Sequence, residues 1–294
     1  MKTDFCTLPS GEKIFYRETG AGEHTLLLLH GNLSSSYFFE PFLPHIKGCR
    51  VIAADMRGYG NSSYNTPFTS LLDLAEDFSQ FCDVLGLTSI YAGGWSTGGA
   101  VSMELAAIRP DLVKGLVLIS SVSCKGFTIP PKDEAGQPIP GTAYESRAAF
   151  VKDPLVSAIR IAIENRDMAT LRSIWDTMIF TKYKPSEEAY AIYLDEMCKQ
   201  RSSDDAYWAL VNFNMTKEPT DMAEGSGHMD LIRCPVLAFH GDEDLVLPLS
   251  QAEAIKACLG DQMEFHLLDN CSHASYIDYA EPMGARISAF LDEQ

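Results

Sequence analysis

Ser89-Ile-Tyr-Ala-Gly-Gly-Trp-Ser-Thr-Gly-Gly99 is the stretch from which the rest of this 294-residue chain is read. Ser89 to Ala92 has the composition of a short strand and Thr97 to Ile108 that of a helix. Between them, Gly94-Trp95-Ser96-Thr97-Gly98 has the spacing Gly-x-Ser-x-Gly. That spacing is a nucleophile elbow, with glycines two before and two after the serine because a Cβ at either place would strike the adjoining strand or helix. The serine is held strained, its hydroxyl exposed and the positive end of the following helix beneath it. Ser96 is therefore the candidate nucleophile. A Gly-rich turn without chemistry would satisfy five residues equally; the legible strand before and helix after give the pattern its weight.

Outward from this junction, strand and helix alternate. Thr25-Leu26-Leu27-Leu28-Leu29-His30 is a nearly unbroken apolar run, as in a strand covered on both faces of a parallel sheet. It leads into Gly31-Asn32-Leu33-Ser34-Ser35-Ser36 and an aromatic-rich stretch from Tyr37 to Leu43. Val51 to Ala54 reads as another buried strand, ending in Asp55-Met56-Arg57-Gly58-Tyr59-Gly60-Asn61-Ser62. Leu71 to Leu85 carries apolar residues at 71, 74, 78, 81 and 85, the spacing of a helix with one face on a sheet. Gly115 to Ser120 is a further apolar strand, and Phe5 to Thr19 reads as a hairpin about Pro9-Ser10-Gly11. The alternation predicts an α/β fold, a mostly parallel central sheet flanked by helices.

The alternation stops near Ser123. A Pro- and Gly-rich loop from Cys124 to Ala143 is followed by helical periodicity without strands: Tyr144 to Asn165, Met168 to Thr181, and Ser186 to Met215 with a break near Ser202-Ser203. Strands return at Pro235 to His240 and Met263 to Leu268, with helices at Ser250 to Leu259 and Tyr276 to Asp292. Residues 1–122 and 231–294 thus form one α/β core, and 123–230 a helical insertion.

The formal net charge of −17 argues against nucleic acid or an anionic membrane as partner, since both would repel this surface. No signal-peptide pattern opens the chain and Leu26 to Leu29 is too short to cross a bilayer, so a soluble, cytoplasmic protein is expected, monomer or homodimer. The eight scattered cysteines form no Cys-x-x-Cys and no Cys/His cluster at zinc spacing, as for free thiols in a reducing compartment.

A serine hydroxyl is a poor nucleophile at neutral pH, so an imidazole must take its proton and a carboxylate must fix that imidazole's tautomer. In a parallel sheet such groups gather beyond the carboxyl ends of the strands. His273 is the histidine that follows a late apolar strand, ahead of the last helix. His30 stands where it can brace the loop after its strand. His240 is placed to satisfy backbone groups, and His24, His45, His228 and His266 read as surface or packing residues, with His228 able to reach a pocket from the edge of the insertion. For the acid, the loop Gly241-Asp242-Glu243-Asp244 holds three carboxylates, and the segment Ser121 to Thr128 holds none.

These motifs resemble the α/β-hydrolase superfamily: His30-Gly31-Asn32, Asp55-x-Arg57-Gly58-x-Gly60-x-Ser62, Gly94-x-Ser96-x-Gly98, Gly241-x-x-Asp244 with Pro248, and the late His273, in the family's order across all but the insertion. The resemblance implies the α/β-hydrolase fold with the insertion as a cap, and a catalytic triad of Ser96, Asp244 and His273, with Asp242 as the weaker candidate acid. It implies an oxyanion hole from the backbone N–H of Thr97 and of Asn32, with Leu33 as the fallback for the second donor. The Asn32 side chain could instead line the pocket. No cofactor and no metal are implied. Dehalogenases and epoxide hydrolases of this superfamily carry aspartate at the elbow, so Ser96 points to acyl transfer from a small to medium, mainly apolar ester or lactone as small-molecule substrate. A carbon-carbon bond hydrolase of vinylogous diketones, a cofactor-free perhydrolase and a non-catalytic small-molecule receptor are the alternatives. Phe150, Trp175, Met178, Phe180, Tyr183, Tyr190, Tyr193, Trp208, Phe213 and Met215 suggest an apolar lid or serve as the cap's own core.

Overall fold

The structure is a computed structural model and describes residues 1–133 and 135–293. Its strands are β1 (Lys2–Thr7), β2 (Lys13–Gly20), β3 (His24–Leu29), β4 (Cys49–Ala54), β5 (Ile90–Trp95), β6 (Val113–Ile119), β7 (Val236–Gly241) and β8 (Met263–Leu268). Its helices are α1 (Leu71–Val84), α2 (Thr97–Ile108), α3 (Arg147–Phe150), α4 (Pro154–Glu164), α5 (Met168–Met178), α6 (Glu187–Met197), α7 (Ser203–Val211), α8 (Ser250–Leu259), α9 (Ser275–Asp278) and α10 (Ala280–Asp292).

The strands join one sheet in the order β1-β2-β4-β3-β5-β6-β7-β8. The β1–β2 hairpin is antiparallel and joins β4 antiparallel; from β4 to β8 every pairing is parallel. The unbroken leucine run of β3 follows from this placement. Leu27 and Leu29 pack on the side that holds Leu74 and Phe78 of α1, whereas Leu26 and Leu28 belong with Ile287 and Phe290 of α10. All four leucines are fully buried, each stabilising the fold by roughly 2 kcal/mol relative to exposure. Because β3, β5, β7 and β8 run the same way, the residues that follow Leu29, Trp95, Gly241 and Leu268 emerge at one rim.

Three expected elements differ from the structure. The strand expected to stop at Ala92 continues through Gly93 and Gly94 to Trp95, paired with Val117, Leu118 and Ile119 of β6, so Ser96 follows the strand directly. The helix expected from Tyr144 to Asn165 divides into α3 and α4 at Asp153-Pro154. Proline disfavours helical geometry in the residue before it, and Asp153 instead caps α4 by accepting from Leu155 N–H. The last helix breaks at Tyr279, where Pro282 can neither donate to the Asp278 carbonyl nor avoid it. Among the described residues no helix is long and apolar enough to cross a membrane.

Candidate active site

Ser96 stands between β5 and α2 with φ 54° and ψ −118°, a backbone conformation that costs about 1–3 kcal/mol for a residue with a side chain. It is maintained from both sides, Ser96 N donating to Ile119 O at 3.0 Å and Ser96 O accepting from Val122 N at 3.1 Å. The flanking glycines are required by contact: a Cβ on Gly98 would lie 2.0 Å from Leu29 O, and one on Gly94 would lie 2.2 Å from the carbonyl carbon of Gly98. The serine side chain is left facing a cavity.

On the same cavity lies the His273 ring, whose Nδ1 is 2.7 Å from Asp244 Oδ2. The other carboxylate oxygen, Oδ1, accepts from Val246 N and Leu247 N, each at 2.8 Å. Burial pushes the Asp244 carboxyl up, but the charge and hydrogen bond of His273, the Leu247 N–H and His240 outweigh it and hold the group below the ordinary carboxylate range. His240 secures the loop from beneath, its Nε2–H donating to Leu247 O at 2.9 Å. Trp95, beside Ser96, donates its indole N–H to His273 O at 2.9 Å and so ties the 273 loop to the turn at Ser96. Among the described residues no hydrogen bond joins Ser96 Oγ to the imidazole; such contacts commonly tighten only when substrate is bound. Asp242 faces elsewhere, accepting from Cys271 N at 3.0 Å, and Glu243 pairs with Lys182 at 2.6 Å. His228 stays away from the cavity, its Nδ1 meeting Glu104 of α2 at 2.7 Å.

Asn32 and Thr97 both border the cavity, and among the described residues the N–H of neither has a protein acceptor. Leu33 N–H is committed: it donates at 3.0 Å to Oε1 of Gln200, a residue sequence reasoning did not single out. Gln200 Nε2 and Tyr59 OH both donate to Asn32 Oδ1, at 2.9 and 3.0 Å, so both acceptor positions of the Asn32 carbamoyl oxygen are taken up within the protein. His30 supports the loop from behind. Its Nδ1–H donates to Gly31 O at 2.8 Å and its Nε2 accepts Met56 N–H at 3.0 Å, an arrangement open to the neutral ring alone.

Burial pushes the His30 imidazole down to about 4. Between the ordinary value near ~6.5 and about 4, the unfolded chain binds a proton that the folded chain refuses. Stability contributed by His30 is therefore present above about pH 6.5 and drains away as pH falls towards 4, by about 2 kcal/mol between pH 7 and pH 5. Urea unfolding at the two pH values should show this extra loss in the wild type and not in His30→Gln; equal losses would mean that His30 is protonated in the fold.

The cavity has a volume of about 200 Å³. The insertion supplies Phe127, Leu155, Ile159, Ile174, Trp175, Met178, Ile179, Tyr207 and Leu210, while Val122, Val246 and Leu247 come from either side of it. Of the aromatic and methionine residues considered as a lid, Trp175 and Met178 reach the cavity. Phe180, Tyr190 and Tyr193 are buried among one another and against Phe38, Phe150 is buried against Tyr144 and Trp208, and Tyr183 is exposed. No Asp, Glu, Lys or Arg is among the lining residues, and among the described residues no group of three His, Cys, Asp or Glu could hold a metal ion. A wider cleft of about 630 Å³ lies on the far side of Gln200, but its Arg147 and Arg160 already face Asp205 and Asp204.

A family model described as alpha/beta hydrolase fold matches residues 24–280. The chain is similar to a 2-hydroxy-6-oxononadienedioate/2-hydroxy-6-oxononatrienedioate hydrolase of Paraburkholderia phymatum, 26% identical over 96% of this chain and 91% of that protein. It is also similar to lipase 1 of Psychrobacter immobilis, 26% identical over 97% of this chain and 82% of that protein. Among solved structures, the enol-lactonase from Burkholderia xenovorans LB400 superposes with a TM-score of 0.73 over 98% of this chain and 100% of that one, at 17% identity, a likeness of fold.

Proposed function

The chain belongs to the α/β-hydrolase fold family, and from that premise we propose a serine hydrolase of small to medium, mainly apolar carboxylic esters or lactones. The observation that carries the reading is the cavity shared by Ser96 and a His273 ring whose far nitrogen is held by Asp244 at 2.7 Å. In this mechanism Ser96 Oγ attacks the substrate carbonyl carbon while His273 Nε2 takes the hydroxyl proton. The N–H groups of Asn32 and Thr97 receive the developing oxyanion, and the imidazolium is stabilised by Asp244. His273 then gives its proton to the leaving alcohol oxygen, leaving an acyl-enzyme that water opens by the same steps in reverse order. Neither a metal nor an organic cofactor enters these steps.

The walls support the substrate class. A cavity without charged side chains favours neutral acyl groups, and each buried methylene is worth about 0.8 kcal/mol, roughly fourfold in kcat/KM. Across p-nitrophenyl esters of lengthening acyl chain, kcat/KM should rise by about that factor per carbon until the cavity is filled and then fall. A flat series would remove this cavity as the acyl site. The similarity to the Paraburkholderia phymatum protein favours a second reading, carbon-carbon bond hydrolysis. That relative's name denotes a doubly charged dicarboxylate, for which these walls offer no cation. Turnover of such a dienedioate in preference to every neutral ester and lactone would decide for the second reading.

A further inference from the structure

We propose that Gln200, brought in by the helical insertion, is a positioning residue of the oxyanion site that fixes the 31–33 loop so that Asn32 N–H faces the substrate carbonyl. The inference rests on the serine hydrolase reading. It starts from the planarity of the peptide bond, which sets a carbonyl and the following N–H in opposite directions. Gly31 O, in one plane with Asn32 N–H, is drawn backwards by His30 Nδ1–H at 2.8 Å and Ser34 Oγ–H at 2.7 Å, so Asn32 N–H points forward. The next plane is the vulnerable one. Leu33 has φ 54°, a conformation side-chain-bearing residues avoid, and its N–H is held by Gln200 Oε1 at 3.0 Å. The same amide group donates through Nε2 to Asn32 Oδ1 at 2.9 Å, so one buried side chain grips both residues of the turn.

Gln200 is itself carried on an anchored segment. The chain leaves helix after α6 and re-enters it at α7, and the intervening Arg201 N donates to Gly58 O at 2.8 Å, with Ser202 Oγ on the same oxygen at 3.3 Å. The Arg201 guanidinium reaches Gly60 O and Ser62 O. Residues 58–62 of the Asp-x-Arg-Gly-x-Gly-x-Ser motif thus serve as a clasp for the insertion, and the clasp delivers Gln200 to the oxyanion turn. Removing Gln200 leaves a strained, buried Leu33 N–H without a partner, and the turn relaxes by reorienting the plane adjacent to Asn32 N–H.

The test uses the full chain and a fluorophosphonate, whose attack by Ser96 builds negative charge on the phosphoryl oxygen at the same donors and requires no knowledge of the natural substrate. In Gln200→Met, which keeps side-chain length and loses both hydrogen bonds, the second-order labelling rate should fall by about 10- to 100-fold, less than the roughly 100- to 1,000-fold lost when an oxyanion donor is removed outright, because the donor is misplaced and not deleted. With a p-nitrophenyl ester, kcat should fall by a similar factor and KM change by less than about threefold. Arg201→Met removes the guanidinium contacts but keeps the residue 201 N–H and Ser202 Oγ on Gly58 O, so the clasp still delivers Gln200 and labelling should stay within about threefold of wild type. Gln200→Glu keeps an acceptor for Leu33 but, when ionised, has no donor for Asn32; it is read in the same way should the methionine variant not fold, and should lose about fivefold or more. An unchanged rate in the Gln200 variants, or an equal loss in Arg201→Met, overturns the role of Gln200. Failure of the wild type to label at Ser96 overturns the serine hydrolase reading, and this inference with it.

Discussion

Ser96→Ala is expected to lower kcat/KM for any ester or lactone the protein turns over by about 10⁴-fold or more, with secondary structure and thermal unfolding close to wild type. The size follows from what is removed. Without Oγ no acyl-enzyme can form, and the remaining acceleration is what the backbone N–H donors and the apolar walls supply to direct attack by water. The fold should tolerate the change, because the elbow is held by backbone hydrogen bonds to Ile119 and from Val122 and by the close packing of Gly94 and Gly98, none of which involves the hydroxyl. Steady-state assays with a p-nitrophenyl ester, together with mass spectrometry of fluorophosphonate-treated protein, measure both halves of the expectation. Activity within about tenfold of wild type would move the nucleophile away from Ser96.

Asp244→Asn is expected to lower kcat by about 10⁴-fold, and Asp242→Asn to change it by less than about threefold. The asymmetry comes from the two N–H groups that hold the Asp244 carboxylate. Val246 N–H and Leu247 N–H both point at Oδ1, so an asparagine there must keep its oxygen towards them and present its NH₂ to His273 Nδ1. Nδ1 then becomes an acceptor, the proton moves to Nε2, and the ring can no longer accept the proton of Ser96. Asp242 supports the turn at Cys271 from the surface and has no such hold on the imidazole. Parallel kcat measurements on the two variants give the ranking; the reverse order would place the acid at 242.

The sheet was legible because burial on both faces leaves an unbroken apolar run, as at Leu26 to Leu29, and because a glycine pair around a serine has few other uses between a strand and a helix. Asp244 could not be separated from its neighbours by local chemistry, since the choice depends on where His273 arrives from a different strand; the family resemblance, not the loop itself, singled it out. The division of α3 from α4 was written in Asp153-Pro154, but apolar periodicity runs across it and hides the stop. Gln200 was the least legible. A single glutamine in a polar break between helices carries no pattern, and its partners at 32 and 33 lie far away in the chain. Which of the insertion's large residues border the cavity and which form its own core was left open for a related reason. Large aromatic rings pack best against each other, as Phe38 does on Tyr193 at 4.2 Å between centroids, which leaves aliphatic side chains such as Ile159 and Ile174 to border the empty space.

Strands β6 and β7 lie side by side, Leu116 opposite Val236 through Ile119 opposite Phe239, although every residue from α3 to α7 intervenes between them. The excursion therefore departs from and returns to neighbouring rows of one rigid ladder. Closing such a detour grows only logarithmically more costly with its length, about 0.6 kcal/mol for each doubling. Segments of α4 and α5 that line the cavity can accordingly be lengthened, trimmed or exchanged with little penalty to the sheet that carries Ser96. The stitch at 200–202 is the exception: it is the place where such remodelling would be felt in the rate of the chemistry as well as in the choice of substrate.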